Sequence, residues 1–189
     1  MNLLRTIAFP IFALFFYLNG ISLFSVEISE KTLYVQEAKV LFTSTTDEET
    51  IKGIGKKAKG TISLSENKFE ITIDVSDWKT ANKLQTRHMH DNYIESETFP
   101  TITYSGTIQS FKKETGEAQL IGDLQFHGVT KKNFQTTGKL TAKNGDYFYT
   151  SEFIINLKEF KIEIPKLLFL KVNENIKVQT EFLLGGKQN

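Results

Sequence analysis

The stretch KFEITIDVSDW, residues 68–78, alternates apolar and polar side chains with a period of two. Phe69, Ile71, Ile73 and Val75 fall on one face of this stretch, and polar residues fall on the other. This period is typical of a half-buried strand, because successive side chains of a strand point to opposite sides. The stretch therefore predicts a strand with one face against a core.

The same alternation recurs along the chain, and turn residues separate the apolar runs. Asn144-Gly145 is the strongest hairpin signal, because a type I′ turn requires positive φ at both central positions. The segment GIGKKAKG, residues 53–60, is also predicted to be a turn or loop. The other apolar runs are Val40 and Phe42; Ile102 and Tyr104; Leu124 and Phe126; Phe153, Ile155 and Leu157; and Ile176, Val178 and Phe182. The sequence thus predicts an all-β fold, an antiparallel barrel or sandwich.

One segment interrupts the alternation. Residues 83–97 lose the period of two, while Met89 and Tyr93 fall at the i, i+4 spacing of a helix. Pro100 follows, and a proline disfavours the α conformation of the residue before it. We therefore expect a short helical connection around residues 83–97.

Composition restricts the class of protein. A chain of 189 residues fits one domain, and 40% hydrophobic residues with 16 Phe can form a substantial core. The formal charge of +1 gives no basic surface for nucleic acid, so no nucleic-acid partner is expected. The absence of cysteine excludes disulfides, a thiol nucleophile and Cys-ligated zinc.

The first residues have the layout of a secretory signal peptide. Arg5 precedes an apolar run over residues 7–18, and smaller residues follow as far as Ser25. Pro10 and Gly20 break up the apolar character, which favours a cleaved leader over a membrane anchor. We therefore predict a signal peptide at 1–25, one domain at 26–189, and a periplasmic or secreted protein.

The three histidines are candidate ligands of a metal ion. His88 and His90 would share a face on a strand, but on a helix residues two apart diverge by roughly 200°. His127 lies at a glycine turn, far from both in sequence. A metal-dependent enzyme that uses His88, His90 and His127 is kept as an alternative, while no catalytic residue, metal or cofactor is assigned.

Two linked motifs resemble a known family. The stretches LQTRHMHDNYIESETFPTITYSG, residues 84–106, and GDLQFHGVTKK, residues 122–132, resemble the YceI-like, polyisoprenoid-binding proteins in the same order along the chain. Positions His88 and Asp91 depart from the family's pattern. The matching residues are Arg87, His90, Phe99, Pro100, Ile102, Tyr104, Gly122, Asp123, Leu124, Gly128, Val129, Thr130 and Lys131.

The resemblance implies a lipocalin-like, eight-stranded antiparallel barrel that is exported and holds a polyisoprenoid or similar apolar lipid, without catalysis. Such a barrel is just wide enough to be filled by side chains or to hold one small ligand. Arg87 and His90 are candidates for contacts with a polar head group, or for bonds that tie the helix to the barrel. The predicted lining of the ligand site is Val40, Phe42, Ile71, Ile73, Ile102, Tyr104, Leu124, Phe126, Ile176 and Val178.

Two further interpretations concern partners. The barrel could be a closed scaffold in an envelope interaction protein, because periodicity predicts a buried face but not a cavity. On the carrier interpretation, the expected partner is an apolar lipid. Transient contact with a membrane and a homodimer are left open.

Overall fold

A computed structural model describes residues 32–164 and 172–187 of the chain. The predicted leader at 1–25 lies outside the described residues. Within them, the strands are β1 (Thr32–Thr45), β2 (Thr50–Gly55), β3 (Ala58–Ser63), β4 (Lys68–Asp74), β5 (Lys79–Thr80), β6 (Thr101–Lys112), β7 (Glu117–Phe126), β8 (Val129–Lys143), β9 (Asp146–Asn156) and β10 (Asn175–Gly185). Helix α1 spans Lys83–Asn92, and 3₁₀ turns span Val75–Asp77 and Leu157–Phe160.

The strands close into an antiparallel barrel. The order around the ring is β1-β3-β4-β6-β7-β8-β9-β10, and β10 pairs back with β1, for example Val40 with Thr180. This closure confirms the predicted eight-stranded barrel. Closure also removes the exposed sheet edges that would otherwise pair with another chain.

The segment GIGKKAKG does not form the predicted turn. Residues 53–55 belong to β2 and residues 58–60 to β3, and both strands pair with β1, one after the other along its length. The two strands thus act as one strand that is interrupted at Lys56 and Lys57. Strand β5 extends the sheet beyond β2 through Gly53 and Ile54.

Aromatic packing explains two of the glycines in this segment. A Cβ atom on Gly53 would lie 1.9 Å from the ring of Phe42, and one on Gly55 would lie 2.0 Å from Trp78. The two rings stack on each other with centroids 5.0 Å apart. The glycines therefore provide space for a pair of interior rings, a reason that the sequence pattern does not reveal.

We expect Gly53→Ala to destabilise the barrel by about 1–3 kcal/mol, because the new methyl group displaces Phe42 from its stack. Urea unfolding measures the change in free energy. Gly185→Ala is the matched control, since its Cβ would approach only the side chain of Gln36, at 3.3 Å. Equal stability of the two variants would contradict this explanation of Gly53.

The two ends of the barrel differ. At one end, which we call the hairpin end, Asn144 and Gly145 join β8 to β9 with φ angles of 56° and 87°. This turn confirms the predicted hairpin. At the other end, which we call the helical end, α1 lies against β5, and the β7–β8 turn at His127 and Gly128 lies beside the 3₁₀ turn Leu157–Phe160.

Helix α1 begins where it was predicted but ends five residues earlier. The side chain of Asn82 caps its start by accepting a hydrogen bond from the amide of Gln85, at 2.8 Å. Glu95 adopts a left-handed conformation with φ of 44°, which ends the helical path well before Pro100. Among residues 32–164 and 172–187, no helix is long and apolar enough to cross a bilayer.

Candidate functional site

An apolar cavity of about 160 Å³ lies inside the barrel and is partly open to its surroundings. Seven buried side chains near the hairpin end do not line it: Leu33, Ala38, Ile108, Ala118, Leu140, Tyr147 and Leu184. These residues fill the hairpin end of the interior, whereas side chains of α1 line the cavity at the helical end. The interior is therefore partly solid and partly hollow, which argues against a completely closed core.

All ten apolar residues that the sequence predicted as lining lie on the cavity wall. They come from five strands: β1, β4, β6, β7 and β10. Alternation placed them correctly on inward faces, because a closed barrel has only one interior. Their role as contacts with a bound lipid stays a prediction.

Other lining residues were not in the predicted set. Threonine and glycine weaken the alternation on β8, so that strand supplied no candidates. On β9 the apolar run with Phe153 and Ile155 was identified as a strand face but was not included in the predicted lining. Trp78 and the α1 residues approach the cavity only through the tertiary fold. The main additions are Phe69, Trp78, Gln85, His88, Met89, Tyr93, Ile94, Leu120, Phe134, Thr136, Tyr149, Ser151, Phe153, Ile155, Thr180 and Phe182.

The described side chains of the cavity wall are apolar or polar, and none is a carboxylate, ammonium or guanidinium group. Among the described residues that line it there is no Lys, Arg, Asp or Glu, and His88 is the single imidazole. Burial raises the pKa of Tyr93 and also that of Tyr104, so both phenols stay protonated at neutral pH. The wall thus favours apolar molecules and opposes ionised ones, because an unpaired charge is costly in such surroundings.

Helix α1 forms part of the cavity wall with one face. Gln85 and Met89 are one turn apart, and both are buried and line the cavity. Leu84, the residue before Gln85, is 61% exposed. The hydroxyl of Thr86 accepts a hydrogen bond from the amide of Thr80 at 3.0 Å, which fixes the helix to β5.

His90 has a structural position. Its Nε2 lies 2.8 Å from the carbonyl oxygen of Trp78, and its Nδ1 lies 2.8 Å from the hydroxyl of Ser96. Because a carbonyl oxygen can only accept, Nε2 carries the proton and donates it to Trp78. Both ring nitrogens are therefore used to hold α1 against the β5 corner, and His90 does not line the cavity.

Arg87 was predicted together with His90 as a head-group contact. Its side chain is exposed on α1 and does not line the cavity. The structure therefore brings the ten apolar candidates together but places these two polar candidates outside. For His90, the bonds to Trp78 and Ser96 agree with the alternative in which it ties the helix to the barrel.

The three histidines lie in different surroundings. His88 lines the cavity, His90 holds the helix, and His127 lies in the β7–β8 turn, where its Nδ1 donates to the carbonyl oxygen of Phe160 at 3.2 Å. Within the described ranges, no group of three or more His, Cys, Asp or Glu side chains could hold a metal ion. The arrangement gives no support to the metal-dependent alternative.

His127 connects three segments at the helical end. Its ring packs on Phe99 with centroids 4.4 Å apart, and its Nε2 lies 3.6 Å from a carboxylate oxygen of Glu95. Gly128 follows with φ of 71°, and a Cβ there would lie 2.8 Å from the Phe99 ring. Phe99, His127 and Gly128 thus form one packed corner, which explains why the two sequence motifs occur together.

Solved structures share this fold. BcnA of Burkholderia cenocepacia superposes with a TM-score of 0.65 at 12% identity, over 77% of this chain and 95% of its own. A polyisoprenoid-binding domain from Saccharophagus degradans, implicated in plant cell wall breakdown, gives a TM-score of 0.65 at 13% identity, over 81% and 97%. The YceI protein of Campylobacter jejuni gives 0.53 at 14% identity, over 86% and 89%.

The sequence comparisons are more specific about the family. No curated protein sequence matches the chain significantly. The family model described as the YceI-like domain matches residues 32–184, which include both sequence motifs and all strands of the barrel except the last residue of β10. The chain belongs to the YceI-like domain family.

Proposed function

We propose that this protein is an exported carrier that holds a polyisoprenoid or similar long apolar lipid inside its barrel and does no chemistry on it. The observation that carries the proposal is the apolar cavity inside the barrel, whose described wall has no Lys, Arg, Asp or Glu side chain. The related domain from Saccharophagus degradans, which is described as polyisoprenoid-binding, supports the choice of ligand.

The energy of binding would come from burial of the lipid chain. Each CH₂ group that moves from water into the cavity contributes ~0.8 kcal/mol, so a few isoprene units suffice for tight binding. Aromatic rings make up much of the wall, including the stacked pair Phe42 and Trp78. Flat, rigid rings fit the planar double bonds of an isoprenoid chain and lose little conformational freedom on binding.

Export rests on the pattern of residues 1–25. We expect the full-length chain, expressed with its own leader in a bacterial host, to appear in the periplasm with Val26 as its first residue. Intact-mass measurement of the periplasmic protein checks this cleavage. Retention of the whole chain in the membrane fraction would instead indicate an uncleaved anchor.

A matched pair of variants tests the cavity as the binding site. Ile155 is buried and lines the cavity, whereas its neighbour Ile154 on β9 is 55% exposed. We expect Ile155→Trp to reduce the co-purifying lipid to less than about a tenth of the wild-type amount, because the larger ring occupies the lipid's space. Ile154→Trp should leave the lipid content unchanged.

Native mass spectrometry followed by lipid extraction measures the lipid bound per protein molecule. Circular dichroism must show that both variants are folded. Equal lipid content in the two folded variants would locate the lipid outside the cavity. A wild-type protein that carries no lipid, and that binds none when apolar lipids are added, would contradict the carrier function.

A further inference from the structure

Five hydroxyl groups form a polar cluster on the mostly apolar cavity wall. We call it the hydroxyl cluster, and its members come from the neighbouring strands β8, β9 and β10 and from β6, which β7 separates from β8. The register places it next to the side chains that fill the hairpin end, because Leu140 pairs with Tyr149. Its members are Tyr104, Thr136, Tyr149, Ser151 and Thr180.

Most of these hydroxyls have partners within the protein. Tyr104 donates to the carbonyl oxygen of Phe134 at 2.9 Å, and its hydroxyl oxygen lies 3.5 Å from that of Thr136. The hydroxyls of Ser151 and Thr180 are 2.7 Å apart. These contacts give four of the five hydroxyl groups a hydrogen-bond partner within the protein.

Tyr149 is the exception. The residue is 5% exposed, and its hydroxyl is buried without a hydrogen-bond partner among the described residues. The hydroxyls of Thr136 and Ser151 are near, but neither meets the geometry of a hydrogen bond with it. A buried donor without a partner destabilises a protein, so its presence in a cavity wall calls for a partner from elsewhere.

The sequence makes room for this hydroxyl. A Cβ atom on Gly138 would lie 2.3 Å from the Tyr149 hydroxyl oxygen, so a larger residue on β8 would displace the phenol. Burial, with a smaller effect of Tyr104, raises the pKa of Tyr149, so the hydroxyl keeps its proton and can donate. The phenol is thus held in place as a donor at the deep part of the cavity.

We propose that the Tyr149 hydroxyl donates a hydrogen bond to an uncharged oxygen, such as a carbonyl, at the inner end of the bound lipid. This inference rests on the proposed carrier function. It adds the orientation of the bound lipid in the barrel and the chemical class of its inner end. The oxygenated end lies deep beside Gly138, and the hydrocarbon chain extends towards α1. Since no Lys or Arg lines the described wall, a diphosphate or carboxylate at that end would have no counter-ion.

The test uses three probes that share one hydrocarbon chain: farnesal, farnesene and farnesyl diphosphate. Their affinities are measured on delipidated full-length protein through the fluorescence of Trp78, which is the single tryptophan of the chain and lines the cavity. The variant is Tyr149→Phe, which removes only the hydroxyl. Tyr147→Phe is the control, because Tyr147 is buried on the same strand but does not line the cavity.

We expect the wild type and Tyr147→Phe to bind farnesal about tenfold more tightly than farnesene, and farnesyl diphosphate more weakly than either. In Tyr149→Phe the preference for farnesal should disappear, while affinity for farnesene stays unchanged. The unliganded Tyr149→Phe protein should melt at the same temperature as the wild type or higher, because the unpartnered donor is gone. A purely structural tyrosine would show the opposite change in stability.

Two results would overturn this inference and leave the carrier function intact. One is equal binding of farnesal and farnesene by the wild type; the other is unchanged farnesal affinity in Tyr149→Phe. Tighter binding of farnesyl diphosphate than of farnesal would refute the claim that the inner end of the lipid is uncharged. Failure of all three probes to bind the wild type would refute the carrier function itself, and the inference with it.

Discussion

Replacing Phe126 with aspartate should empty the barrel of lipid and destabilise the fold by more than about 4 kcal/mol. Phe126 is 6% exposed, lines the cavity, and packs on Phe160 with ring centroids 5.5 Å apart. The substitution removes a large ring and puts a carboxyl group where the described wall offers no cation. Native proteins have a free energy of unfolding of roughly 5–15 kcal/mol, so the substitution should remove a large part of it.

The pH dependence separates the effect of the charge from that of the lost ring. Burial raises the pKa of the introduced carboxyl in the folded state above its unfolded value of about 3.9. The folded state then binds more protons than the unfolded state, so stability falls as pH rises from about 4 to the raised folded pKa. Phe126→Asn loses the same ring but has no titrating group, so its stability should lack this decline.

Urea unfolding of both variants between pH 3 and pH 8, each compared with the wild type at the same pH, measures this difference. Lipid content is measured in parallel by extraction and mass spectrometry. Parallel pH profiles for Phe126→Asp and Phe126→Asn would mean that the carboxyl reaches water, and so that position 126 is not enclosed.

Replacing Phe160 with alanine should cost about 3–5 kcal/mol of stability. Phe160 lies in the 3₁₀ turn after β9 and is fully buried, although it does not line the cavity. Its ring packs behind Phe126, and its carbonyl oxygen accepts the hydrogen bond from His127. Loss of the ring leaves a void in the packed corner at the helical end, away from the lipid.

Phe148→Ala is the control for this prediction. Phe148 is 37% exposed on β9, so its truncation should change the free energy of unfolding by less than about 1 kcal/mol. Chemical denaturation of the two variants gives the comparison directly. An equal loss of stability in both would show that the corner around Phe160 contributes no more than a surface ring.

The success of the sequence interpretation follows from the geometry of strands. Alternation at Phe69 and Ile71, or at Val178 and Phe182, requires no knowledge of the partner strand, since a strand presents its two faces by its own period. The turn at Asn144-Gly145 is equally local, because positive φ is a property of those two residues. Because the ring is closed, the apolar faces of all its strands point into one interior.

Local patterns fail where the contacts of a residue lie far away along the chain. The pattern around Gly53 predicts a turn, but Gly53 faces Phe42 across the β1–β2 pair. For His90 the sequence leaves open a head-group contact or a bond that ties the helix to the barrel, and its contacts with Trp78 and Ser96 agree with the second role. Such contacts join segments that only tertiary folding brings together, so no local pattern contains them.

By itself the sequence determined the all-β class, the strand faces, the hairpin turn and the two motifs of the YceI-like family. Only the tertiary structure decided that the interior is hollow at one end and filled at the other, because cavity volume depends on how side chains from several strands meet. It also decided that the Tyr149 hydroxyl lies without a partner above Gly138, since hydrogen bonding across strands is a matter of distance and angle.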